Sequence, residues 1–390
     1  MRAFAPWGEP CNAAWVVRRD VSRVVSCVVP VVYHVAMPLT NNKSLALAQQ
    51  MPKVLLHEHL DGGLRVATLL ELLRERGITS PAADVPALQA WFERQAHAGS
   101  LIEYLKGFGL TVAAMATPQA LERVAFEAAQ DALNDGCVLA EFRVAPLLFE
   151  AHGVVGDVAV QALLTGLRKC VLPTGLIVCA LRHLPPSQTL RAAQLALRFQ
   201  GQGVVGFDLA GPELGYPPSD HHEALRLVRD AGLGMTLHAG EADAAERVVE
   251  AARWGATRIG HGVRLVDALQ DPAQMQLVDE IKARTVHLEI CPTSNLHTGA
   301  ATSMATHPIT ALHRAGVSLS FHTDNRLISC ISHSSEALAL LQHTPLTAGD
   351  LLRMGQRAAQ ASFLSPDVRT QAMAAITAFA ANHHIELVPC

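Results

Sequence analysis

Val54-Leu55-Leu56-His57-Glu58-His59-Leu60-Asp61-Gly62 is the stretch from which the rest of this chain can be read. An apolar run passes directly into two histidines spaced i, i+2. In an extended strand those positions share a side, so His57 and His59 aim two imidazole nitrogens at one point, as a shared metal ion requires. A His-x-His pair alone is more often structural than ligating. Its weight here comes from further polar groups that close other apolar runs later in the chain.

From Val54 onward, short apolar runs alternate with amphipathic helical stretches, the pattern of βα units around a parallel sheet. Strands are expected at 53–58, 137–144, 175–181, 203–208, 233–238, 257–261, 285–290 and 316–322. Several are apolar throughout, as strands covered on both faces are. Asp271-Pro272 and Ser365-Pro366 mark helix starts, and Gly316 follows a helix expected at 308–315 as its stop. Eight such units in about 350 residues give an α/β fold, a (β/α)8 TIM barrel; a doubly wound open sheet is the alternative. The gap from 60 to 136 is too long for one crossover and predicts a helical insertion after strand 1. Leu101, Tyr104, Leu105 and Phe108 lie at helical spacing within it. They read as core of an insertion that covers the catalytic mouth, where it can serve as a lid.

The chain has 390 residues, enough for one large barrel or two ordinary domains. Hydrophobic residues at 50% and charged residues at 17% point to a large buried core rather than disorder. A net charge of -4 implies no basic surface, which argues against a nucleic-acid partner. The eight cysteines form no CxxC pair and read as reduced thiols of a cytoplasmic protein. No apolar run reaches bilayer length, so no membrane partner is expected. Residues 1–36 faintly resemble a signal peptide around Arg18-Arg19-Asp20 and Val24–Val32, but Pro30 breaks the apolar segment and an acid sits beside the arginines. They read as a non-core N-terminal extension, consistent with a mis-called start upstream of Met37. Residues 37–390 are then the catalytic domain.

Three further strands end in chemistry. Strand five runs into His238-Ala239-Gly240-Glu241, strand six into Gly260-His261-Gly262, and strand eight into His322-Thr323-Asp324-Asn325. All fall at C-terminal strand ends, the face on which barrel active sites are built. Singly, His238 reads as a core histidine and Asp324 as a helix cap. Together they are harder to dismiss, because buried charges need partners or a metal. His57, His59, His238 and Asp324 offer three nitrogens and one oxygen, a set suited to Zn²⁺ with one position left for water. Glu241, three residues beyond a ligand, is placed to carry a proton. His261 is placed to steer the water and steady its charge. Strand four, Val204-Val205-Gly206-Phe207-Asp208, lacks the lysine that bridges two-metal barrel sites, so a single metal ion is expected. The H-x-E…P-C-x-x-C signature of one class of zinc enzymes is absent.

PKVLLHEHLDGGL (52–64), GFDLAGPE (206–213), LHAGEA (237–242), RIGHGVRL (258–265), EICPTSNLHTGA (289–300) and HTDNRL (322–327) together resemble the ordered motifs of bacterial-type adenosine deaminases, in the amidohydrolase superfamily. The resemblance covers roughly residues 52–365. It implies a hydrolase with one Zn²⁺ per subunit that opens the amidine C–N bond of adenosine and 2′-deoxyadenosine, giving inosine or deoxyinosine and ammonia in purine salvage. The zinc ligands would be His57, His59, His238 and Asp324. Glu241 would protonate ring N1 while hydroxide attacks C6, His261 would orient the hydroxide, and Asp324 would also accept a proton. Substrate contacts would come from His59, from Asp61 to the ribose hydroxyls, from the Gly211 backbone to the N3 edge, and from Asn325 to N7. Two residues depart from the family pattern. Asn325 stands where many members carry a second Asp, although an amide NH₂ donates to N7 at any pH. His322 replaces an Asn and reads as a neutral core residue rather than an extra ligand. Alternatives are deamination of adenine or of a modified adenosine such as aminofutalosine, a catalytically inactive nucleoside-binding relative, and a hydrolase of cyclic amides or phosphotriesters. The intact set of Glu241, His261 and four ligands disfavours the inactive relative, and the missing lysine disfavours the last.

Overall fold

The structure, a computed structural model, describes residues 42–97 and 101–387. The extension expected at 1–36 lies outside the described residues, as do the side chains of Leu101, Tyr104 and Leu105. Eight strands form one sheet: β1 Lys53–Leu55, β2 Cys137–Val144, β3 Thr174–Leu181, β4 Val204–Ala210, β5 Gly234–Ala239, β6 Arg258–His261, β7 His287–Ile290 and β8 Leu319–Phe321. Each pairs in parallel with the next in sequence. That order is the one a barrel requires, and it excludes the doubly wound alternative, whose strand order reverses at a switch point.

Backbone bonds between the first and last segments close the barrel. The His59 N–H donates to the Asp324 carbonyl at 2.7 Å, and the Asp324 N–H donates to the His57 carbonyl at 2.9 Å. One step earlier the Leu56 N–H donates to His322 Nδ1 at 3.2 Å, so a side chain stands in for a missing strand acceptor. His322 Nε2 lies 2.7 Å from Ser320 Oγ. Both ring nitrogens are therefore committed to the seam, and His322 is a core residue.

The insertion after β1 consists of helices Val66–Glu75, Val85–Ala96 and Leu101–Met115, followed by the crossover helix Pro118–Asn134. Gly166 allows that crossover helix to pack against the helix Gly156–Leu167, since a Cβ there would lie 2.1 Å from the Glu122 carbonyl oxygen. Ser365 caps the helix Pro366–Asn382 as expected, and Gly316, at φ +76, ends the helix Pro308–Arg314. Asp271-Pro272 does not open a helix directly. Asp271 Oδ1 accepts from the Ala273 N–H at 2.9 Å, and this local turn displaces the helix start to Met275. Val278 and Ile281 of that helix are still buried as expected. Among the described residues no single helix is long and apolar enough to cross a membrane.

The helix His333–His343 contributes a buried carboxyl, Glu336, whose Oε2 accepts from the Thr293 N–H at 3.2 Å. It thereby holds the start of the helix Pro292–His297, which carries site residues described below. Burial raises the Glu336 carboxyl to about 7. The folded protein then binds a proton that the unfolded chain releases near its ordinary value of 4.5. The resulting stabilisation is complete below that value and is lost as pH rises through about 7. Glu336→Gln mimics the neutral acid and should remove this loss. Between pH 5 and pH 8 the native protein should fall relative to the variant by roughly 2–3 kcal/mol in urea unfolding. Parallel curves for the two proteins would contradict the assignment.

Candidate active site

His57 and His59 follow β1, His238 lies in β5, and Asp324 follows β8. Their ligand atoms all lie within 4.8 Å of one another. His57 Nε2 is 3.3 Å and His59 Nε2 is 3.6 Å from Asp324 Oδ1, and the His59 and His238 Nε2 atoms are 3.3 Å apart. The outer nitrogens decide what these atoms offer. His57 Nδ1 lies 2.9 Å from Glu289 Oε2, and His238 Nδ1 lies 3.0 Å from Asp208 Oδ1. A carboxylate only accepts, so both rings keep the proton on Nδ1 and turn a bare Nε2 inward. His57 Nε2 is buried with no hydrogen-bond partner, and its lone pair faces a carboxylate oxygen. Two acceptors opposed in a buried site are unfavourable unless a cation lies between them. Burial also drives His59 well below the ordinary imidazole value, which keeps it neutral. The donor set therefore fits a metal ion.

Beneath the site lies a closed ionic network with no solvent exposure. Arg143 donates to Asp208 Oδ2 at 2.9 Å, to Glu289 Oε2 at 2.6 Å and to the Leu56 carbonyl at 2.7 Å. Arg258 donates to Glu289 Oε1 and to Glu141 Oε2, both at 2.6 Å, and Thr236 donates to Glu289 Oε1 at 3.0 Å. Burial pushes the Asp208 and Glu289 carboxyls up, but the surrounding hydrogen-bond donors and guanidiniums outweigh it. His238 and Arg143 hold Asp208, and Arg143 and Arg258 hold Glu289, well below the usual carboxylate range. Two guanidiniums face three carboxylates here, and Asp324 adds a fourth. This excess of carboxylates favours a cation at the site.

Glu241 stands beyond His238, past a turn in which Gly240 takes φ +71. Its Oε1 accepts from Thr298 Oγ1 at 2.8 Å and Asn295 Nδ2 at 3.0 Å. Its Oε2 lies 3.5 Å from His261 Nε2. Asn295 Nδ2 also lies 3.1 Å from His261 Nδ1, and Ser294 Oγ donates to Asp324 Oδ2 at 2.6 Å. The short helix Pro292–His297 and the residue that follows it thus align Glu241, His261 and Asp324. His261 (φ 63) and Asp324 (φ 62) both adopt left-handed backbone that side-chain-bearing residues rarely take.

A cavity opens beside these groups. It is lined by His59, Asp61, Gly211, Glu241, His261 and Asn325, with an apolar wall that includes Phe108, Leu148 and Leu181. All four residues expected to touch substrate meet there. Asp61 Oδ1 is buried with no hydrogen-bond partner, and burial raises its carboxyl to about 7. Phe108 brings the insertion helix Leu101–Met115 to the cavity wall, as a covering element requires. The structure also supplies residues that sequence reasoning gave no role: Arg143, Asp208, Glu289, Ser294, Asn295, Thr298 and Glu213, which is considered below. A signal existed for the first three, since each is a charge set between apolar neighbours in a strand.

A family model described as adenosine deaminase matches residues 52–379. The chain is 42% identical over 347 residues to a protein of Mycobacterium tuberculosis (strain H37Rv) named adenosine deaminase, covering 85% of this chain and 94% of that protein. Among solved structures, the adenine deaminase of Arthrobacter aurescens superposes with a TM-score of 0.77 at 22% identity, covering 85% of this chain and 99% of that one. An amidohydrolase from Burkholderia ambifaria, solved with bound Zn, also gives a TM-score of 0.77 at 22% identity, covering 90% of this chain and 95% of its own. At that identity both likenesses speak for the fold.

Arg143→Met should strip Asp208 and Glu289 of their shared cation while filling its space. Loss of one partner from a buried ion pair costs about 3–5 kcal/mol, readable as a lower urea midpoint. Loosened outer partners of His57 and His238 should weaken divalent-metal affinity by about 10–100-fold in a chelator competition. Unchanged affinity would show that the network does not orient the ligands.

Proposed function

This chain belongs to the adenosine deaminase family, and from that premise we propose that it removes the 6-amino group of adenosine and 2′-deoxyadenosine by hydrolysis, releasing ammonia. The observation that carries the reading is the convergence of three imidazoles and Asp324 with a carboxyl, Glu241, at the wall of one cavity. His57, His59, His238 and Asp324 would hold one zinc ion, which supplies Lewis acidity and lowers the pKa of water at neutral pH. A second metal finds no bridging lysine on β4, where Asp208 commits both oxygens to Arg143 and His238.

The chain's own groups do the rest. Glu241 Oε1 is filled by two donors, so Oε2 is the oxygen left to carry a proton toward ring N1. His261, held through Asn295, faces that oxygen and orients the attacking water. The Gly211 backbone meets the N3 edge, and the Asn325 amide donates to N7 whatever the pH. Asp61 is a buried carboxyl short of a partner, which suits a ribose hydroxyl and favours a nucleoside over free adenine. The apolar wall at Phe108, Leu148 and Leu181 packs on the substrate and excludes water. We assign the catalytic domain to 37–390 and place the protein in the cytoplasm, in keeping with the five described cysteines, all free thiols.

Purified protein should turn over adenosine and deoxyadenosine, followed by the ultraviolet change as the amino group leaves, and should spare AMP and adenine. A metal-loaded sample inert to both nucleosides would refute the reading. Glu241→Gln should keep its metal while kcat falls about 10²–10⁴-fold. His238→Ala should lose metal by elemental analysis, and undiminished zinc would contradict ligation.

A further inference from the structure

The turn that presents Glu241 is anchored by a residue to which no role has been assigned. Glu213, on the segment following β4, is nearly fully buried at 5% exposure. Its Oε2 accepts from the Gly240 N–H at 2.9 Å and the Asp243 N–H at 3.1 Å, and its Oε1 accepts from the Glu241 N–H at 3.0 Å. Three converging amides make an anion-binding nest, and here the anion is a side chain from the neighbouring strand. Hydrogen bonds to an ionised carboxylate are among the stronger ones. Behind the turn, Arg182 donates to the carbonyls of Leu209 and His238 and fixes the end of β5, and Glu213 is the largest of the nearby charges that offset the burial of its guanidinium. Gly211 is held without Glu213, because the Arg182 N–H donates to the Ala210 carbonyl at 2.9 Å in the β3–β4 ladder. What Glu213 holds by direct hydrogen bonds is the stretch from 240 to 243, and with it the origin of the Glu241 side chain.

We propose that Glu213 is a positioning residue for the reaction: its carboxylate fills the amide nest under Glu241 and fixes the acid at the wall of the cavity that Gly211 also lines. The inference rests on the functional reading above for its kinetic consequence, and on geometry alone for the state of the turn. The side chain is buried and its only hydrogen-bond acceptor work among the described residues is on this turn. Removing it should therefore displace the acid while leaving the metal ligands in place. A small misplacement of a catalytic group costs about 10²-fold in rate.

The test is Glu213→Ala with and without sodium formate, a free carboxylate small enough for the vacated nest. Expected are a kcat about 10²-fold lower, an unchanged KM and an unchanged zinc content. Formate should restore kcat saturably, whereas formamide, or chloride at equal ionic strength, should not; the native enzyme serves as the formate control. Hydrogen exchange by mass spectrometry gives a readout that needs no substrate. Amides of the 240–243 turn should exchange about tenfold faster in the variant, and formate should slow them again. Full kcat in the variant, a loss carried by KM or by metal content, or no response to formate in kcat and exchange would each overturn the proposal. Native enzyme inert to adenosine would instead fail the functional reading, and the exchange result would still decide the role of Glu213. If Glu213→Ala does not fold, Glu213→Gln keeps the size but sets an amide NH₂ against a donor N–H. It should lose kcat, keep zinc and ignore formate, and native kcat there would also overturn the proposal.

Discussion

Charges sealed inside the barrel must satisfy one another, and the site at its mouth depends on that constraint. Arg143, Arg258, Glu141, Asp208 and Glu289 have no solvent exposure. An isolated ion in such a place is prohibitive, so each is held by direct bonds to the others. Glu289 is the hub. It receives His57, Arg143, Arg258 and Thr236 at once, which fills the accepting capacity of a carboxylate. His57 has no freedom to turn over while that holds. Asp208 does the same for His238 with one oxygen and meets Arg143 with the other. Two candidate ligands far apart in sequence are thus oriented through a single guanidinium.

Much of this architecture was legible in the residues. Apolar runs bounded by turn residues located all the strands, because strands covered on both faces carry a strong, continuous signal. Polar groups at the ends of β1, β5, β6 and β8 located the side chains that converge at the candidate site. The helix start misplaced at Asp271-Pro272 shows a limit of local rules, since the same side chain that caps a helix also closes a short turn. The supporting residues were harder. Glu141 and Arg143 sit two apart on one face of β2, yet their partners lie on β4, β6 and β7. Only the closed sheet brings those strands face to face. Asn295 and Thr298 were equally opaque, because an amide and a hydroxyl on a short helix have many ordinary uses. Their meaning comes from the one carboxylate oxygen on which both converge.

The two departures from the family pattern also resolve physically. His322 fits because Ser320 and the Leu56 amide use both of its nitrogens, and Ser320 passes the chain on to His287 at 2.7 Å. A histidine engaged on both sides in a polar spine has no lone pair left for a metal. Asn325 lies against Gly62, where a Cβ would meet its Oδ1 at 2.0 Å. The glycine after Asp61 is therefore what gives the amide its place in the cavity wall.

Barrel closure and site assembly are the same event in this chain. The bonds that join the last strand to the first run between the backbones of His57, His59 and Asp324, three of the four candidate ligands. Closing the seam brings those side chains together, and a cation between them would in turn hold the seam. This accounts for the left-handed backbone at Asp324, which costs on the order of 1–2 kcal/mol in isolation. Both its N–H and its carbonyl are engaged by the segment after β1, and in the left-handed turn the carboxylate joins the imidazoles while those bonds are kept. His261 shows the same device on β6, with Gly262 beside it donating to the Ala239 carbonyl at 3.0 Å. At Asp324 a strand end must present both backbone and side chain to the same small space, and the hydrogen bonds across the seam sustain its strained backbone.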